Sequence, residues 1–552
     1  MTKDRVLRLT QGVSTHLIGL WVAAMFVFDK GLAYAHIWIG PIPLFITEIV
    51  LLILFVLWLI HSSAARHITL PDSKIATIFL GLFWLVGLVA VCHIFKLHDK
   101  ESVIYGLKKS ALFYYSAFAF FTLALVREKS RVQTVLHWMA GGAFASGVFH
   151  VMKMLYPNPD FWPASVIIAN DTAWAFGFIY CLVLVWRRSS SWFTYLVGDL
   201  SGVLLLYTNA RSALLAFFLI CTLLLIFLIM TSDKKDRFGW VKGMSKMASS
   251  FILVFCFFIV LIGPPGGFER FGFINGIQKF IMDQHGTVEP QPIAVRPASI
   301  ETFQPIVHAP NISDISPSSQ ASAQIVNILD GADIFVSPGS KTINTFFTFL
   351  DKYISTNGTG GNVTWRLKVW LEALNKGVMN HFWMGAGVTN PFVSTWVTPY
   401  KGVDRVLYAI SLIKQTYNFY GRLKNEDINP SHDIEPGYPT KLTPSEEKSS
   451  FYSYHWYDID LHNSHIAIFY RFGFLGFLFY GCLFLIALVR SGLGAFLNDK
   501  SALILFGFLL WFLVINSFNV VLEGPFLGSI FWIVLGLTLR KKSETGEDVP
   551  VR

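Results

Sequence analysis

The chain is 552 residues long, 53% hydrophobic and only 14% charged, with a mean hydropathy of +0.52. A soluble domain is nearer one quarter charged, so this composition excludes an ordinary soluble protein and points to a membrane. The net charge of +9 does not mark a nucleic-acid binder, because the basic residues follow topology rather than forming one patch.

A helix needs about 20 apolar residues to cross a bilayer core. Twelve runs approach that length, at roughly 13–34, 42–61, 75–96, 104–126, 133–153, 165–186, 192–209, 211–230, 249–264, 464–489, 502–521 and 525–539. The pattern predicts an all-α polytopic fold of about twelve transmembrane helices. Lys3, Arg5 and Arg8 precede the first run as in a signal peptide, but no small-residue cleavage site follows, so a retained helix is expected. All five cysteines fall inside apolar runs, which leaves the long polar segment without a disulfide framework or a cysteine metal site.

Lys and Arg concentrate on the cytoplasmic side of membrane proteins. With the N-terminus inside, the segments on that side hold twenty-one of them and the short external segments hold seven. The three-to-one bias predicts both termini inside and puts residues 265–461 outside, as a large loop between the ninth and tenth spans. The expected layout is therefore helices 1–9 over 1–264, the loop over 265–461, helices 10–12 over 462–540 and a cytoplasmic tail over 541–552. Within the loop, 287–345 is rich in Pro, Ser, Ala and Ile and is expected to be irregular. Trp365, Val369, Trp370, Ala373 and Leu374 recur at helical spacing, predicting an amphipathic helix over 364–378 that ends at Gly377.

Three sites stand out on the external face. Arg211, in Ala210-Arg-Ser-Ala-Leu214, sits at the tip of the hairpin between the seventh and eighth spans. An arginine in an apolar hairpin either snorkels to headgroups or meets a partner, and its planar fork suits a diphosphate. The second is Arg366 with Trp370 one turn on, followed by the Gly385-Ala-Gly387 turn; alone it is a weak signal, because an arginine on an amphipathic helix is most often a solvated or lipid-headgroup residue. The third is His462-Asn463-Ser464-His465, opening the tenth span, with Arg471, Gly473 and Gly476 behind it. A histidine at a helix start is often structural, yet a neutral imidazole is also the natural general base near pH 7.

Taken in order, Ala-Arg-Ser-Ala-Leu, then Arg-x-x-x-Trp with Gly-x-Gly, then His-Asn-Ser before Gly-Phe-Leu-Gly resemble the O-antigen ligase and polymerase family of lipid-linked glycan transferases. The resemblance covers about 195–490 by motif and the preceding chain by topology alone, and the layout is similar to the ligase branch. It implies a GT-C-like fold in a bacterial inner membrane with the active site facing the periplasm. It also implies transfer of a glycan from undecaprenyl diphosphate to a hydroxyl of the lipid A-core, inverting and without metal or other cofactor. Arg211 and Arg366 match the family's essential arginines and would stabilise the diphosphate, while His462 would take the hydroxyl proton or orient the acceptor. Lys108, Lys109, Asn463, Trp370 and Asp171 are further candidates for holding diphosphate or glycan. The chain departs from the family at Ala467, where Glu or Gln is frequent, and in the length of its external loop.

The same residues fit other functions. A polymerase would use a second lipid-linked glycan as acceptor, and a protein O-oligosaccharyltransferase a Ser or Thr hydroxyl. A transporter or flippase would rely on Asp171 and Asp199, because intramembrane carboxylates are functional candidates by default. Asp458-Ile-Asp460 has the spacing of metal-dependent transferases, a pattern frequent by chance.

Overall fold

A computed structural model describes residues 2–33, 35–39, 42–92, 94, 103, 106–107, 109–155, 170–186, 191–207, 211–231, 237–262, 362–388, 392, 461, 463–497, 499–519 and 521–540. All belong to one compact unit comprising Met1–Gly267 and Asp351–Arg552. The expected irregular stretch 287–345 and the tail 541–552 lie outside the described residues.

In chain order the elements are α1 (Lys3–Ala33), a hairpin of β1 (His36–Ile39) and β2 (Ile42–Phe45), α2 (Ile46–Ala65), α3 (Lys74–Cys92), α4 (Ala111–Tyr114), α5 (Ala117–Leu125) and α6 (Lys129–Leu155). Then come α7 (Asp171–Trp186), α8 (Trp192–Tyr207), α9 (Arg211–Thr231), α10 (Arg237–Ile262), α11 (Asn362–Asn380), α12 (Ser464–Phe496), α13 (Lys500–Phe518) and α14 (Pro525–Leu539). Seven helices among the described residues are long and apolar enough to cross a membrane; at five other expected spans the described apolar helical stretch is shorter, at 10–17 residues.

The protein is a membrane protein, and its outer surface shows why. Large apolar side chains stand exposed on several helices, among them Leu253 at 71% and Val260 at 83%, a surface that water would drive to aggregate and a bilayer solvates. Inside the bundle Trp174, Trp511 and Trp532 are fully buried, and Phe508 packs edge to face with both Phe26 and Phe176. Helices in lipid gain little from apolar burial itself, so close approach matters more. At Gly142 of α6 a Cβ would lie 2.5 Å from the Ala23 Cα of α1, so glycine there lets the two backbones touch.

Three departures from expectation have physical causes. The fold is not purely helical: the stretch between the first two runs pairs His36 with Phe45 and Ile37 with Leu44 as an antiparallel hairpin, favoured by its β-branched and aromatic residues. The fourth expected span tightens between α4 and α5, where Tyr115 and Ser116 keep right-handed helical dihedrals and the amides of Phe118 and Ala119 bond three residues back, to the carbonyls of Tyr115 and Ser116. The first span breaks late, where Asp29 adopts φ 48° and ψ −136°. The carbonyls of Met25 and Phe26, in the turn before that break, accept hydrogen bonds from Asn170 Nδ2 at 3.2 and 3.0 Å. Asn170 Oδ1 in turn accepts from the Ala173 amide at 3.0 Å, capping α7. Asn170 thus clamps α1 to the start of α7.

The amphipathic helix is present as α11, starting at Asn362 and continuing through Gly377 to Asn380. Val369 and Ala373 are buried with Ala467 and Tyr470 of α12 and with Leu461 and Phe392, so its apolar face lies on protein.

Candidate functional site

The geometry is organised by the end of α13. The last carbonyls of a helix have no partner within it, and here side chains from distant sequence supply them. Asn463 Nδ2 donates to the Ser517 carbonyl at 2.9 Å, Arg366 Nη1 to the Phe518 carbonyl at 2.9 Å, and Ser464 Oγ to the Asn519 carbonyl at 3.0 Å. A cation at a helix C-terminus is also favoured by the helix dipole. Ser464 Oγ accepts in return from the amides of Val521 at 2.8 Å and Leu522 at 3.2 Å.

Each of these side chains is placed by its own element. Asn463 caps α12, its Oδ1 accepting from the amides of His465 and Ile466 at 3.0 Å each, which is the usual reason for Asn at a helix start. Arg366 lies one turn before Trp370 on α11. Trp370 Nε1 donates to the Leu461 carbonyl, and its ring lies 6.4 Å from that of Phe518. His465 Nδ1 sits 3.3 Å from the Tyr480 hydroxyl.

Behind the cap, α12 is broken at Gly473, with φ 67° and ψ −169°. The break separates the amides of Phe474 and Leu475 from their helical acceptors, the carbonyls of Tyr470 and Arg471. The segment 382–387 fills the gap: Phe474 and Leu475 donate to the carbonyls of Phe382 and Trp383 at 2.6 and 3.2 Å, while Ala386 and Gly387 donate to those of Tyr470 and Arg471 at 2.7 and 3.0 Å. These four backbone groups opened by the break are paired by this strap. The contact demands two glycines: Gly385 has φ +74°, and a Cβ on it would lie 2.3 Å from the Arg471 carbonyl carbon, while one on Gly473 would lie 2.4 Å from the Gly385 nitrogen. At the strap's start, burial holds the His381 imidazole below its usual pKa of 6.5.

Next to the strap lies a charge cluster. Glu523, in the turn between α13 and α14, pairs through Oε2 with Lys109 Nζ at 2.8 Å and through Oε1 with Arg471 Nε at 3.5 Å. The Arg471 side chain is 2% exposed.

Of the residues expected from sequence, Arg366, Trp370 and Asn463 are therefore brought together, with Lys109 in the adjoining cluster. Asp171 heads a different helix, α7, where a carboxylate meets the favourable end of the dipole. Arg211 opens α9, and its side chain, like Lys108, His462, Asp458 and Asp460, lies outside the described residues. Sequence reasoning passed over Glu523 and the connector 517–523. The signal was present: Glu523 is a carboxylate set in a tight apolar hairpin, the kind of residue whose desolvation needs a partner.

No family model matches the chain, and a search of curated proteins likewise finds no match.

Proposed function

We propose that this membrane protein is a glycan ligase of the O-antigen ligase kind, transferring an undecaprenyl diphosphate-linked glycan to a lipid A-core hydroxyl at the external face. The observation that carries this reading is the meeting of Arg366 and Asn463 on adjacent carbonyls of one helix end. They belong to two separate motifs of the resemblance. The Gly385 and Gly473 contact joins the same two motifs again.

In this reading the acceptor oxygen attacks the anomeric carbon as the bond to the diphosphate breaks. The bonding pair leaves with undecaprenyl diphosphate, the configuration inverts, and the hydroxyl proton passes to His462. Charge growing on the leaving diphosphate calls for preorganised cations, the role given to Arg211 and Arg366. A guanidinium anchored by a helix carbonyl reorganises little as that charge develops, which is what such stabilisation requires. Glycan elongation on a lipid carrier and transfer to a protein hydroxyl differ in the acceptor alone.

The test is transfer by purified protein in liposomes, with undecaprenyl diphosphate-linked glycan as donor and lipid A-core or unmodified lipid-linked glycan as rival acceptors. Wild type should label lipid A-core, and His462→Ala and Arg211→Ala should abolish transfer at unchanged abundance. Product on lipid-linked glycan alone would make the protein a polymerase. Activity that survives His462→Ala would remove the assigned base, and no product on either acceptor would defeat the ligase reading.

A further inference from the structure

We propose that Glu523 is a positioning residue for this transfer: by holding Lys109 and Arg471 on separate oxygens, it sets the start of α12 against the end of α13. This rests on the reading of the protein as a glycan transferase.

The connector, described at 517–519 and 521–523, is the common support of the site. Its first part accepts Asn463, Arg366 and Ser464 on three successive carbonyls, and its amides at 521 and 522 return to Ser464. Its last residue, Glu523, reaches to two other parts of the chain, one before α4 and one in α12. Arg471 is not a peripheral partner. It lies two turns below the Asn463 cap, and its carbonyl is one of the points on which the strap docks. The strap leads directly back into α11, which carries Arg366. One carboxylate thus ties α12, two turns below the Asn463 cap, and the segment before α4 to the connector whose carbonyls hold Arg366 and Asn463.

The cluster is also poorly hydrated, with the side chains of Lys109, Glu523 and Arg471 exposed by 15%, 12% and 2%. Removing the anion from such a cluster takes from two poorly hydrated cations the carboxylate they share. The first turns of α12 must then shift, and a misplacement near 1 Å is enough to cost about a hundredfold in rate. Glu523 need not touch substrate for this effect.

The experiment measures kcat and donor KM in the liposome assay for wild type, Glu523→Gln, Glu523→Asp, Lys109→Met and the Lys109→Met/Glu523→Gln double variant, alongside the melting temperature of each. Glu523→Gln should lower kcat about ten- to hundredfold with donor KM moved less than about twofold. Glu523→Asp, which keeps the charge, should recover most of the loss. The double variant should lose less than the product of its single losses, because both act through one pair. Wild-type kcat in Glu523→Gln would overturn the inference while leaving the ligase reading intact. So would a fall in activity matched by loss of folded protein and not relieved by Asp. Absence of transfer by wild type would instead defeat the ligase reading, and the inference with it.

Discussion

Asn463 makes two kinds of bond with one amide: its oxygen caps α12 and its nitrogen closes the end of α13. Losing the cap costs about 1 kcal/mol, and leaving the Ser517 carbonyl without its donor adds about 1–3 kcal/mol. Asn463→Ala should therefore lower stability by about 2–4 kcal/mol, read as a drop in melting temperature in detergent, with transfer lost as well. Asn463→Asp keeps the acceptor but not the donor, and should fall between the two. His381 supplies a pH test outside the bilayer. Its folded pKa lies below 6.5 because burial disfavours the charged ring. The unfolded chain then binds more protons, so stability is full above the ordinary histidine pKa and declines as pH falls through it. Protection factors of the strap amides, corrected for the intrinsic pH dependence of exchange, should fall on acidification below pH 6.5, and His381→Gln should flatten that dependence. An unchanged profile in His381→Gln would remove the imidazole as the cause.

At the level of elements, the break in α12 and the strap that repairs it form one feature. A helix opened inside a bundle is tolerated where protein re-pairs the freed groups, and 382–387 does so on both sides of Gly473. The two glycines meet at positive φ with no room for a Cβ, so substitution adds strain to a backbone collision. Gly385→Ala and Gly473→Ala should each destabilise by about 3 kcal/mol or more and abolish transfer. Gly481, also on α12, has nothing within 4 Å of its would-be Cβ. Gly481→Ala should be neutral or stabilising by about 1 kcal/mol through helix propensity. Equal effects at 473 and 481 would show that the break has no special geometry. The motif Gly-x-Gly was legible in sequence, but its partner was not, because a hydrogen bond between residues 387 and 471 leaves no periodic trace.

For the whole molecule, the distribution of Lys and Arg predicts which end of each helix faces the cytoplasm. Trp383, on the strap, is 61% exposed, and Trp192, at the start of α8, is 77% exposed. The orientation puts Trp383 outside and Trp192 inside. In a chain whose native cysteines are replaced, Trp383→Cys should react with a membrane-impermeant maleimide in intact spheroplasts, and Trp192→Cys only after permeabilisation. The reverse pattern would invert the orientation and move the candidate site to the cytoplasmic side.

Composition and the spacing of apolar runs alone determined that the chain lives in a membrane and is built mainly of helices, because hydrocarbon admits few other ways to pair a backbone. They also determined the amphipathic character of α11, which depends on residues three and four apart. Which helix ends meet was decided by tertiary structure. The carbonyls at 517–519 are chemically like any others in the sequence; they become a site because Arg366, Asn463 and Ser464 are folded onto them. Glu523 acquires its meaning in the same way, since only the fold brings Lys109 and Arg471 to its two oxygens. Local pattern encodes what a segment is, and contacts between segments far apart in the chain decide what it does.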